Sequence, residues 1–108
     1  SGLRLDIDMA ALPLLPDAVK LCGEGHTCGG TKANDGYTGD RIAYDPTLDA
    51  AARGLLNDPQ TSGGLLVAVP GDRAPEFRDL ALENGASCAE IIGSARERDL
   101  DGPSLFIG

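Results

Sequence analysis

Tryptophan is absent from this sequence, and the aromatic residues are two tyrosines and two phenylalanines. Any core must therefore be built from Leu, Val, Ile and Ala. Cations are also scarce: 9 Lys and Arg stand against 17 Asp and Glu, a net charge of −8. That balance argues against a nucleic-acid partner, whose affinity rests on neutralising phosphates. It argues equally against an anionic membrane surface. Cysteine is limited to Cys22, Cys28 and Cys88. An odd, sparse count is no disulfide framework and suits a reducing compartment, so a cytoplasmic location is expected. No run approaches the ~20 apolar residues of a membrane-spanning helix, and no signal-peptide pattern is visible. There is no initiator Met, and Leu3 already begins a strand pattern. The expectation is one truncated domain, residues 1–108, cut from a longer chain.

What is present reads as globular, with 42% hydrophobic residues interrupted by turn formers. Leu3, Leu5 and Ile7 alternate with polar residues, the pattern of a half-buried strand. Residues 12–23 suggest a short helix, with Leu15, Val19 and Cys22 on one face and Gly23 past its end. Residues 23–40 hold six glycines and no hydrophobic period, which predicts a long loop. Asp45-Pro46 predicts a helix start, continued by Leu48, Ala51, Ala52, Leu55 and Leu56. Leu65–Val69 is a continuous apolar run, as in a strand covered on both faces. Asp72 is placed to cap a helix over 73–84 that Gly85 ends. Residues 89–92 and 104–107 suggest two further strands, with Asp101-Gly102 as a turn between them.

Few groups are arranged for catalysis. Cys22, His26 and Cys28 offer three soft donors where structural zinc requires four. A Cys–His dyad of His26 and Cys28 would lie in a glycine-rich stretch that fixes no geometry. Asp6 and Asp8 both face away from the buried side of their strand. The segment Gln60-Thr61-Ser62-Gly63-Gly64 is different. Glycines let backbone N–H groups approach an anion, and the hydroxyls add donors, which is the chemistry of a phosphate contact. Phosphate cradles usually open a helix, and here the glycines precede an apolar run. A tight turn, with Asp58 and Thr61 bonded to local backbone, is the competing reading.

Residues 55–70, LLNDPQTSGGLLVAVP, closely resemble the DPQTSGGLL segment of selenophosphate synthetases (selenide, water dikinases). Residues 5–25 look like that family's strand and helix before its glycine segment. Gly29, Gly30, Thr31 and Asn34 match its Gly-Gly-Thr-x-x-Asn element. Gly85, Ala89, Ile92 and Gly93 match its Gly-x-x-x-Ala-x-x-Ile-Gly ending. One departure is Thr27-Cys28, where the family commonly has Val-Pro. The resemblance implies an α+β fold with a mixed β-sheet packed against helices, like the C-terminal domain of proteins related to aminoimidazole ribonucleotide synthase. It implies a homodimeric, cytoplasmic parent that makes selenophosphate from ATP, selenide and water with Mg²⁺, releasing AMP and phosphate. The family's reactive Cys or selenocysteine, nearby Lys and metal carboxylates belong to an N-terminal domain, so no catalytic or metal-binding residue carries over here. The isolated segment is expected to hold no cofactor and to be inactive alone. Its partner would be that N-terminal domain, with Thr61, Ser62, Gly63 and Gly64, and also Thr31 and Asn34, facing the ATP cleft. A purely structural domain, or the same domain of a sibling ATP-dependent synthase, are the alternatives.

Overall fold

The computed structural model describes residues 2–108. Its centre is a four-stranded mixed sheet formed by β1 (Leu3–Ile7), β2 (Ile42–Tyr44), β3 (Gly93–Glu97) and β4 (Leu105–Ile107). The strand order is β2-β4-β1-β3. β1 runs antiparallel to β3 and parallel to β4, and β2 runs parallel to β4. Leu5 lies opposite Leu105 and Ile7 opposite Ile107, so the alternation in β1 sets its register on β4. Ile107 is only 3% exposed, the deepest apolar side chain of the sheet. Four helices accompany the sheet: α1 (Ala18–Gly23), α2 (Gly29–Thr38), α3 (Ala50–Leu56) and α4 (Ala74–Glu83). The architecture is the expected α+β class with a mixed sheet.

Several expected elements differ from those observed. α1 is confined to residues 18–23 because Asp17 adopts a left-handed conformation (φ 62°) that cannot continue a helix backwards. The Asp45-Pro46 start is not used. Asp45 instead accepts hydrogen bonds from Thr47 Oγ1 (2.5 Å) and the Thr47 amide (2.8 Å), closing a turn. Those two bonds, the hydroxyl first, hold its carboxyl below the usual value of 3.8. Asp49 caps α3, accepting from the Ala52 amide at 2.8 Å. Likewise Asp72 lies in a short 3₁₀ turn, and Arg73 occupies the cap position of α4.

The larger corrections concern three stretches. The stretch predicted as a loop contains α2, whose two opening glycines cost little where backbone amides are unpaired anyway. Gly39, at φ 43°, terminates it. The apolar run Leu65–Val69 forms no strand: Leu65 is 93%, Leu66 64% and Val67 49% exposed. Both sides of β1 and of β4 are taken, and the free edges belong to β2, only three residues long, and the solvent-exposed β3, so neither edge offers the run a long buried partner. The strand expected at 89–92 begins instead at Gly93, and β2 was not legible because three residues carry no period.

Glycine is required at two places by close approach. In α3, Gly54 leaves 3.0 Å between its would-be Cβ and Cys22 Sγ, so α1 and α3 meet where a side chain would separate them. At Gly93 a Cβ would overlap the carbonyl of Asp6 across the β1–β3 ladder. Backbone cannot yield as a flexible side chain can. Gly93→Ala is therefore expected to lower the unfolding free energy by about 3 kcal/mol, the upper end for overpacking. Urea denaturation measures it, and a change within experimental error would show that the ladder does not need the glycine.

Candidate functional site

The chain leaves α3 through Asn57, Asp58, Pro59 and Gln60, and α2 packs against this exit. Asn57 is 5% exposed and Thr31 8%, the two buried polar residues among those described. Buried polar groups need partners, and these have them. Asn57 Nδ2 donates to Tyr44 Oη and to the Arg53 carbonyl, both at 3.0 Å, and approaches Asp35 Oδ1 at 3.4 Å. Asn57 Oδ1 accepts from Thr38 Oγ1 at 3.4 Å, and its carbonyl accepts from Asn34 Nδ2 at 2.9 Å. Thr31 Oγ1 donates to Asp58 Oδ1 at 2.9 Å. Gly30 makes the approach possible, since a Cβ there would lie 2.8 Å from Pro59 Cγ.

The Gly-Gly-Thr-x-x-Asn and Asp-Pro-Gln elements, 27 residues apart at Thr31 and Asp58, thus form one interlocked unit. Thr31 is buried in this contact, while Asn34, itself exposed, is joined to it through its side-chain amide. Asp58 bonds to side chains, not to the local backbone a simple turn would use. Sequence reasoning missed Asn57, Tyr44, Asp35 and Thr38. The available signal was an amide ending an otherwise apolar helix face.

Beyond Gln60, residues Thr61, Ser62, Gly63 and Gly64 are all exposed. Among the described residues, no hydrogen bond within the chain engages the Thr61 or Ser62 hydroxyls. Space beside Gly64 is open, with nothing within 4 Å of a would-be Cβ. The four residues present hydroxyls and unshielded backbone on one uncharged loop.

An open cavity of about 470 Å³ lies beside this contact, between α2 and the α1–α3 pair, lined in part by Cys22, Cys28, Thr31, Asp35, Tyr44 and Arg53. Arg53 Nε is buried there without a hydrogen-bond partner, while its guanidinium stacks over Tyr44 at 5.2 Å. Cys28, at the N-terminus of α2, has its thiol pKa held below 9.0 by the Thr31 amide first, then by the Thr31 hydroxyl and the Gly30 amide. Cys28 and Cys88 are exposed and Cys22 is half-buried. His26 pairs loosely with Glu24 at 3.9 Å. Among the described residues, no three His, Cys, Asp or Glu side chains gather as a metal site. Asp6 is tied to Arg4 and Arg96, each at 2.6 Å, and Asp8 caps the turn at Met9–Ala11 by accepting from the Ala10 amide at 2.9 Å.

The fold and this interlocked exit define a class: an α+β domain that locks a glycine-rich, donor-bearing loop onto a neighbouring helix. No protein-family model matches the chain. Curated proteins do match it. The chain is 35% identical over 97 residues to the selenide, water dikinase of Dechloromonas aromatica (strain RCB), covering 90% of this chain and 28% of that protein. It is 33% identical over 106 residues to that of Pseudomonas straminea, covering 98% and 29%. It is 42% identical over 91 residues to that of Pseudomonas aeruginosa (strain PAO1), covering 84% and 26%. The chain is thus related by sequence to selenide, water dikinases, and it spans under a third of their length.

Asn57 carries the largest share of the internal contacts. Asn57→Ala is expected to lower stability by about 2–3 kcal/mol by leaving buried partners unpaired. Asn57→Asp is expected to cost more at pH 7 than at pH 4, because a buried carboxylate would face Asp35 and the Arg53 carbonyl. Thermal unfolding at both pH values decides the point, and a wild-type melting temperature for Asn57→Ala would refute the assignment.

Proposed function

We propose that this segment is the C-terminal domain of a selenophosphate synthetase. On this reading the parent converts ATP, selenide and water to selenophosphate, AMP and phosphate, and the segment closes the ATP cleft from one side. The observation that carries the reading is the Thr31–Asp58 hydrogen bond, which joins two family-like elements and leaves Thr61–Gly64 outward. The loop suits a phosphate: it bears hydroxyl donors, glycine backbone open to close approach, and no charge. On this reading Mg²⁺ would be held by the rest of the parent; among the described residues, no three His, Cys, Asp or Glu side chains gather. Phosphoryl transfer depends on positioning and charge stabilisation, and this chain supplies positioning only.

In the full-length parent, Thr61→Ala combined with Ser62→Ala is expected to slow AMP formation by about tenfold or more, the effect of losing at least one hydrogen bond of about 1.5 kcal/mol to an anion. The melting temperature should not change. Unchanged rates with unchanged stability would sink the reading. Lower stability with normal turnover would favour a purely structural domain.

Exposure favours a docking role beside the cleft role. The accessible surface is 7796 Å², against about 5,700 Å² for a self-contained chain of this mass. The difference, about 2,100 Å² on this one partner, corresponds to a large obligate interface, which buries about 2,000–5,000 Å² over both partners. Leu65, Leu66 and Val67 contribute to it, with Phe77, Leu80 and Leu82 of α4. The occupant we assign is the remainder of the parent chain, since the related proteins are more than three times as long. Backbone amides of Leu65–Val69 should exchange freely in the 108-residue chain and become protected in the parent. Equal, unprotected exchange in both would exclude this surface as the junction.

A further inference from the structure

Asp58 has a partner on each carboxylate oxygen. Oδ1 accepts from Thr31 Oγ1 at 2.9 Å, and Oδ2 accepts from Gln60 Nε2 at 2.8 Å. Gln60 in turn meets the loop: its Cβ is 3.2 Å from the position a Cβ on Gly63 would occupy. A path of hydrogen bonds therefore runs from the buried Thr31 through Asp58 to Gln60, whose side chain lies in the space a side chain at Gly63 would need. Neither Gly63 nor Gly64 has a positive φ. Backbone conformation does not demand glycine at these positions. At Gly63 the demand is space for Gln60.

We propose that Gln60, held by Asp58 and Thr31, is a positioning residue that shapes the Thr61–Gly64 loop before an anion arrives. The physical need is plain. A Gly-Gly pair has the greatest backbone freedom of any dipeptide. A loop left free would lose that freedom on binding and bind more weakly, whereas a loop already held binds without that loss. Asp58 is suited to the task because a carboxylate accepts two donors at once. Its two donors come from α2 and from the loop's own stem. The proposal rests on the reading that Thr61–Gly64 meets an ATP phosphate, and adds which residues set the loop's shape.

Two measurements test it. In the 108-residue chain, ¹⁵N relaxation should give Gly63 and Gly64 order parameters near about 0.85, falling below about 0.6 in Gln60→Ala and Thr31→Val. Thr31→Ser, which keeps the hydroxyl, should retain the wild-type values. In the full-length parent, Gln60→Ala should raise KM for ATP about five- to tenfold, the factor one hydrogen bond is worth, with kcat little changed. A side chain that only stabilised the fold would shift the melting temperature without this local loosening or this split. Order parameters unchanged in Gln60→Ala would overturn the proposal. Loosened glycines together with unchanged AMP formation and unchanged melting temperature in the Thr61, Ser62 double variant would overturn the phosphate reading alone, since relaxation requires no nucleotide.

Discussion

The Asn57 side chain is the fixed point of this domain. An amide at 5% exposure must be paired on both its oxygen and its nitrogen. Its partners come from α2, from Tyr44 of β2 and from α3 itself. One residue thereby decides how three elements meet. Because α2 is pinned there, Thr31 reaches Asp58 and Gly30 slides against Pro59. Because Tyr44 is pinned there, β2 lies parallel beside β4 and the sheet acquires its second edge. The chain beyond α3 then leaves in a set direction, with Asp58 and Gln60 already committed.

That dependence explains what the sequence disclosed and what it hid. β1, β4 and α4 were legible because their signals are local: a period of two, a short apolar end, and an amphipathic stripe closed by Gly85 at φ 92°. α2 was illegible because glycine-rich composition argues against a helix, and its stability comes from contacts to residues more than twenty positions away. Tertiary bonds overrode propensity. The Leu65–Val69 run failed in the opposite sense. Its composition is that of a strand, but a strand exists only where an edge accepts it. The position of β3 followed from steric contact between Gly93 and Asp6, which no periodicity encodes. The interlocked residues were named in part: Thr31 and Asn34 through the resemblance, Asn57 not at all.

The Asp-Pro-Gln-Thr-Ser-Gly-Gly stretch divides into halves with opposite duties. Asp58, Pro59 and Gln60 form an anchored stem: half-buried Asp58 accepts from α2, Pro59 lies against Gly30, and the exposed Gln60 bonds back to Asp58. Thr61 to Gly64 face outward and are held by nothing but that stem. A motif that is half anchor and half presented surface is constrained at every position for one of two reasons. On the proposed reading, mutating the stem perturbs stability or loop order, and mutating the outward half perturbs ligand contact.

Charge sharpens the same division. The chain carries a net charge of −8, an unfavourable field for any phosphate. No charged residue occurs between Asp58 and Asp72 in sequence. The first carboxylate on the approach, Asp58, has both oxygens engaged by donors, from Thr31 and Gln60. Those donor dipoles offset part of its charge. An anion at Thr61–Gly64 would be offered hydroxyls and backbone amides there. The two bonds that position the loop are also the ones that shield it from the domain's own acidity, so the proposed anchor and the proposed anion site stand on one arrangement of atoms.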